Sequence, residues 1–344
     1  MNTSELREQC AAKLTAAAGR ASQLVAFAGL DGFVDEIVHV VDKRDNAETY
    51  QRVPSIAKLA QRISGAAGQS TNIELVNQRI KLGGNGPILA NALASFGLKV
   101  IYLGALGYPN VHPVFASFGK RAEIHSIAEP GHTDALEFDD GKLMLGKSTQ
   151  LKEVSWANIQ ERFGRDKFTG YFNTADLVAF VNWTMIPYMT EIWAALQTEL
   201  CPSLRGPRRL MFFDLADPEK RLVNDISRAL EYVVRFQEHF DVILGLNEKE
   251  AHELSKVMGI KSKPATPDGL SDLAREIIRT LEIGTLVIHP VRFALAANRD
   301  SVHVVEGPFV ANPLITTGAG DHFNSGFCLG RLLGLDNQLS VLTG

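Results

Sequence analysis

Near its C-terminal end the chain reads Ile315-Thr316-Thr317-Gly318-Ala319-Gly320-Asp321-His322-Phe323. Three small residues precede an acid, and the acid opens an apolar helical pattern of Phe323, Phe327, Leu329 and Leu332. Glycines let backbone amides turn toward one anion, and a helix N-terminus adds the positive end of its dipole. An acid at that point can stand beside a phosphoryl group in transit and take the proton of an attacking hydroxyl. The amides of Gly318, Ala319 and Gly320 are candidates for the anion hole and Asp321 for the base. The plainer alternative is an Asp that caps a helix. The dipole also favours the charged carboxylate, which predicts a weak base in the ground state.

Other chemistry-bearing residues lie upstream. Gly83-Gly84 is either a turn or a place where backbone approaches a ligand closely. Asn85 beside it suits a hydroxyl, since its amide both donates and accepts. Asp31 and Asp35 follow an early strand, where open α/β sheets place ligands, or else sit on a solvated loop. Asn247 and Glu250 have the spacing of a helix capping box and equally suit a metal's surroundings. Gly141-Lys142-Leu143-Met144-Leu145-Gly146-Lys147-Ser148 fits the P-loop pattern by letter. It is discounted because Lys142–Leu145 is strand-like and follows an Asp139-Asp140-Gly141 hairpin turn.

These residues need a frame. Apolar runs at 24–30, 100–103, 177–181, 210–213, 242–244 and 285–288 predict strands. Helical patterns at 86–96, 187–200, 218–239, 247–258, 270–281 and 320–333 alternate with them. Such alternation means βαβ units, a mostly parallel sheet and helices on both faces. Segments 293–297 and 302–305 read as a hairpin. Residues 37–82, with one amphipathic helix near 55–63, and 123–150, with its hairpin, break the rhythm and read as a lid. The expected division is a core of residues 1–36, 83–122 and 151–344, with a lid of 37–82 and 123–150.

Composition sets the outer bounds. The chain has 344 residues, 45% of them hydrophobic and 22% charged, enough for one large α/β domain with an appendage. A net charge of -4 gives no reason to expect nucleic acid or a membrane surface as partner. Three scattered cysteines, Cys10, Cys201 and Cys328, make neither a disulfide framework nor a zinc site, and a reducing cytoplasm is the expected location.

Taken in order, these motifs resemble the ribokinase-like (PfkB) carbohydrate kinases. That family's C-terminal signature ends in Gly-Ala-Gly-Asp, matched by Gly318 to Asp321. Its N-terminal signature opens with a Gly-Gly pair and runs into an Ala-rich helix, matched from Gly83-Gly84-Asn85 to Phe96-Gly97. The substrate-holding acid after the first strand is matched within Gly29–Asp35, and the Asn-x-x-Glu motif near the metal by Asn247 to Glu250. Ile315 stands where the family usually has an Asp linked to a monovalent cation, which leaves potassium activation in doubt. Ile88 replaces the family's substrate Asn, while Asn91 is similar to the ADP-dependent sugar kinases. Ile288-His289-Pro290 lacks the glycine of the family's Thr-x-Gly strand end.

The resemblance implies a three-layer sandwich with a small β-rich lid, and phosphoryl transfer from magnesium-bound ATP to a hydroxyl of a sugar or sugar-like molecule. Asp31, Asp35, Gly84 and Asn85 are expected to hold the acceptor. Asn247, Thr317, Gly318 and Gly320 are expected at the nucleotide, and Asn247 and Glu250 act indirectly on the metal. Pairing of two chains through their lids would cover exposed strand edges. A nucleoside kinase, an ADP-dependent sugar kinase and an inactive sugar-binding regulator remain as alternatives.

Overall fold

A strand covered on both sides has no polar face to show. Val25–Leu30 (β1) is such a strand, buried at every residue after Val25. The computed structural model describes residues 3–307, 309–310 and 318–344. Helix α1 (Thr3–Ala17) precedes β1. After it come β2 (Phe33–Arg44), β3 (Tyr50–Arg52), α2 (Ile56–Gly65), β4 (Leu75–Gly83), α3 (Asn85–Ser95), β5 (Lys99–Gly104) and β6 (Glu123–Ser126). A hairpin of β7 (Gly131–Phe138) and β8 (Gly141–Lys147) follows, then α4 (Trp156–Ile159), α5 (Arg165–Thr174), β9 (Leu177–Phe180) and α6 (Met189–Ala195). Next are β10 (Arg209–Asp214), α7 (Val223–Phe236), β11 (Phe240–Leu246), α8 (Glu248–Val257), α9 (Pro267–Leu281) and β12 (Thr285–Ile288). The hairpin β13 (Phe293–Ala297) and β14 (Val302–Glu306) precedes α10 (Ala319–Leu332) and α11 (Asn337–Thr343).

Nine strands form one sheet in the order β14-β13-β12-β11-β10-β9-β1-β5-β6. The strands from β12 through β6 run parallel, and β13 and β14 return antiparallel at one edge. Side-chain alternation divides the core into two layers. Phe27, Ile101, Val178, Met211, Val242 and Leu286 face one side, with Phe168, Trp193, Leu230 and Leu273 packed over them. Ala28, Tyr102, Ala179, Phe212, Ile243 and Val287 face the other, under Leu89, Leu93, Phe327 and Leu339. Each of these large side chains contributes about 2 kcal/mol by leaving water. The three-layer α/β sandwich expected from sequence is what forms.

A second sheet, β3-β2-β7-β8 with β4 also on β2, stands apart from the first. Helix α2 covers its far half through Val38, Val40, Val53, Leu59, Leu136 and Phe138. Ser55 begins that helix, its side chain accepting the Lys58 amide at 3.1 Å. Sequence reading found this helix and the β7–β8 hairpin, but not β2, β3 and β4. β4 is exposed along most of its length and takes its conformation from pairing with β2, so its own residues carry little strand signal. The strand Glu123–Ser126, at the start of the 123–150 segment, pairs with β5 in the large sheet. The P-loop-like run is β8 itself, paired antiparallel along β7 from Lys147 to Gly141. A paired strand offers no loop of free amides to a phosphate.

Among the described residues, no helix is long and apolar enough to cross a membrane. Cys10, Cys201 and Cys328 are buried free thiols.

Candidate active site

Helix α10 starts after Gly318, whose φ of 85° lies in the left-handed region that glycine adopts without strain. A side chain at 318 would also meet Ile88 Cδ1 at 3.1 Å. Asp321 lies in the first turn and is only 7% exposed. Its Oδ1 accepts a hydrogen bond from Asn85 Nδ2 at 2.9 Å, so the two glycine motifs, 236 residues apart, meet at one carboxylate. Gly318 is the N-cap residue, without a side-chain cap bond. Asp321 is therefore not the cap of its helix. The expectation of a depressed pKa is also reversed. Burial pushes the Asp321 carboxyl up to about 8; the Asn85 bond pulls it down, and Asp31 and Glu250 push it further up. The dipole of a helix end is outweighed by loss of water and by neighbouring acids. Thr317, expected at the nucleotide, and Ile315 lie outside the described residues.

Asp321 borders a cleft of about 600 Å³ whose walls come from both sheets, among them Asp35, Gly84, Asn85, Thr133, Asn182, Glu250 and Gly318. Asp35 does not end the early strand, as sequence suggested. It is the third residue of β2 and belongs to the small sheet, opposite Lys81 on β4 and Thr133 on β7. Burial raises its pKa, while Lys81, Thr133 and Lys142 hold it down. Its carboxylate lies against Gly83, where any Cβ would collide with it. Gly83 is thus a close-approach glycine, and Gly84, with φ 96°, turns the chain into α3.

Asp31 is placed differently from the expected hydroxyl-binding role. It is fully buried and absent from the cleft lining. Oδ1 accepts the Gly86 amide at 2.9 Å and Oδ2 accepts Asn182 Nδ2 at 2.7 Å. The Tyr102 hydroxyl donates to its backbone carbonyl at 2.7 Å. Burial still lifts its pKa to about 6. Asp31 holds the start of α3 from below, so it positions Asn85 rather than facing the cleft.

Asn247 and Glu250 form a full capping box: Asn247 Oδ1 accepts the Glu250 amide and Glu250 Oε2 accepts the Asn247 amide, both at 2.9 Å. Glu250 Oε1 accepts the Asp217 amide at 2.9 Å, and the carboxyl lines the cleft. Asn247 opens instead onto a second cavity of about 600 Å³, on the far side of the Gly318–Gly320 turn. That cavity is walled by His289, Phe293, Val305, Phe309, Phe323 and Leu342, with Ala319 and Gly320 at its edge.

A family model for prokaryotic ketohexokinase matches residues 2–344. The chain belongs to that family. Ketohexokinase of Haloferax volcanii is 29% identical over 318 residues, which are 92% of this chain and 83% of the relative. Two solved structures share the fold at low identity. Phosphofructokinase-2 of Escherichia coli, in complex with substrates and products, has a TM-score of 0.61 and 12% identity, covering 92% of this chain and 89% of that one. Ribokinase of Thermotoga maritima has a TM-score of 0.57 and 16% identity, with the same coverages of 92% and 89%. The resemblance to PfkB carbohydrate kinases thus holds, and the protein is a sugar kinase.

For this ketohexokinase-family chain, sequence reasoning missed four polar residues around the site. Asn182 follows β9 with a left-handed φ of 61°. Its Oδ1 is buried without a partner among the described residues, and the residue lines the cleft. Asp214 ends β10 and is buried, with Oδ2 accepting from Asn324 Nδ2 at 3.0 Å. Burial, then Glu250, Asp321 and Asp31, raise its pKa well above the carboxylate range. Ala216 and Asp217 turn left-handed in succession (φ 58° and 61°), strain of the kind concentrated at functional sites. The left-handed backbone of an Asn or Asp at a strand end leaves no letter pattern, so only the assembled sheet reveals it. Asn91 bonds Arg121 at 3.0 Å and is not among the cleft-lining residues.

Proposed function

We propose that this protein transfers the terminal phosphoryl group of magnesium-bound ATP to a hydroxyl of a ketohexose, with Asp321 as the base. One observation carries the reading: a buried carboxyl with a raised pKa lines the polar cleft, and the turn of small residues that starts its helix borders that cleft at Gly318 and the apolar cavity at Ala319 and Gly320. The polar cleft suits a sugar, and the apolar cavity suits a nucleoside. Asp35, Asn85 and Asn182 would hold sugar hydroxyls. The amides of Gly318, Ala319 and Gly320 would receive the charge on the transferring group. Asp321 would take the hydroxyl proton as the bond to phosphorus forms. The small sheet, carrying Asp35, Thr133 and Met144 over the cleft, would exclude water.

A divalent cation fits the surroundings. Glu250 and Asp321 raise the pKa of Asp214, Glu250 also raises that of Asp321, and Lys220, ion-paired to Asp217 at 2.9 Å, is a cation among the cleft-lining residues. Glu250 and Asp217 would hold the ion's surroundings, and when bound the ion would neutralise phosphate charge.

The test is a donor and acceptor panel: ketohexoses, aldohexoses and nucleosides, each with ATP and with ADP. A phosphorylated ketohexose with released ADP is the expected product. Sugar binding without detectable ATP binding at millimolar concentration would favour a sugar-binding regulator.

Two further results are expected. Asp35→Asn should raise the sugar KM about tenfold or more while leaving the nucleotide KM nearly unchanged, because a charged acceptor of hydroxyl hydrogen bonds is lost. Equal damage to both constants would place Asp35 at the wrong end of the cleft. The pH profile should carry an acid limb. Asp321 must be deprotonated to act, so kcat/KM should fall about tenfold per unit below a midpoint near 8 in the free enzyme. A bound cation moves that midpoint down, since adjacent positive charge favours the carboxylate. A flat profile between about pH 5 and pH 9 would contradict the base role.

A further inference from the structure

β12 ends at Ile288 and delivers His289 into the wall of the second cavity, beneath the turn that starts α10. The ring lies against Phe323 with centroids 5.1 Å apart. A side chain at 320 would meet its Cε1 at 3.0 Å, so Gly320 is what gives the imidazole its place. Much of the remaining wall is apolar, through Phe293, Val305, Phe309 and Leu342.

Loss of water pushes the imidazole down to about 4, and the residue's own backbone pulls it back only in part. The ring is therefore neutral at physiological pH, with one N–H and one bare lone pair. Either tautomer of the neutral ring leaves one nitrogen as an acceptor. A phosphate oxygen, itself an acceptor, gains nothing from that lone pair. An O–H or N–H group does.

We infer that His289 is a specificity residue for the phosphoryl donor, accepting a hydrogen bond from the nucleoside part, a ribose hydroxyl or a base amino group. The inference rests on the nucleotide occupying this cavity. It places recognition of the donor on a side chain where the related kinases carry their Thr-x-Gly strand end.

The experiment measures KM for sugar and for ATP, 2′-deoxy-ATP, 3′-deoxy-ATP and ITP in the wild type, His289→Phe, His289→Gln and Leu342→Trp. His289→Phe keeps an aromatic ring against Phe323 but removes the acceptor. It should raise the ATP KM about tenfold, the scale of one lost hydrogen bond, with the sugar KM unchanged. His289→Gln, which keeps an acceptor, should recover part of the loss. One of the three analogues should be about tenfold weaker than ATP in the wild type and equal to ATP in His289→Phe, which identifies the bonded group. If His289→Phe matches the wild type on every nucleotide while Leu342→Trp, which fills the cavity, raises the ATP KM, the nucleotide lies here and His289 does not read it. If Leu342→Trp also changes nothing, the nucleotide lies elsewhere and both readings fall. Should the phenylalanine variant not fold, His289→Gln against His289→Ala makes the same comparison.

Discussion

Asp321→Asn is expected to lower kcat by about a hundredfold to ten-thousandfold, the usual cost of removing a general base. The same substitution should raise the melting temperature at pH 8 to 9. The sign follows from linkage. The Asp321 carboxyl titrates near 8 in the folded protein and near 3.8 in a free chain. The folded state therefore binds the extra proton between those values, and stability from this group is lost as pH rises from about 4 to about 8. Asn carries no charge, still fits the space and still has an oxygen for Asn85. Its advantage should be nearly gone near pH 4, where the folded Asp321 is protonated and the free-chain carboxyl is about half protonated. Steady-state kinetics and melting curves across pH 4 to 9 give both readouts. Near-normal kcat would remove Asp321 from the mechanism.

Asp31→Ala should cost about 3 kcal/mol of stability at pH 5, as three buried groups lose their partner. The Gly86 amide, Asn182 Nδ2 and part of the Tyr102 hydroxyl's bonding all depend on this carboxylate. The loss should be smaller at pH 8. Asp31 titrates near 6 when folded, so the stability it contributes is present at low pH and declines as pH rises through that value. Activity should fall as well, through Asn85, whose helix start is no longer held. Denaturant unfolding at the two pH values is the measurement. A change under about 0.5 kcal/mol at pH 5 would mean that α3 is anchored by other contacts.

The contrast between these two acids shows what sequence discloses. Gly318, Gly83 and Gly84 were legible because their backbone demands, a left-handed φ or a close approach, admit one residue type, and the demand appears as a letter. The parallel sheet was legible because its strands are buried on both faces. Asp31 was found, but its role was misread, because a carboxylate under a helix and one facing a ligand have the same letters. Asp214, Asn182 and Asn324 were invisible, since three separate elements bring them together. Helix α5, Arg165–Thr174, was missed because Gly170 and its mix of threonines and aromatics have weak helix propensity, and burial of Phe168 and Phe172 decides its state instead.

The small sheet is spliced into the chain at the cleft itself. Asp31 and Gly32 alone separate β1 from β2, and Gly84 alone separates β4 from α3. Such a junction has an evolutionary reading. Sequence between these points, together with the β7–β8 hairpin that pairs with β2, can be replaced wholesale, provided that the ends meet the large sheet at the same places. The phosphoryl-transfer residues at 318–321 lie outside the exchanged stretch and need not change with it. Asp35 and Gly83, pressed together across β2 and β4, must travel as a pair, because a larger residue at 83 would displace the carboxylate. A lineage can therefore explore new acceptors by remodelling one appendage while its catalytic turn stays constant.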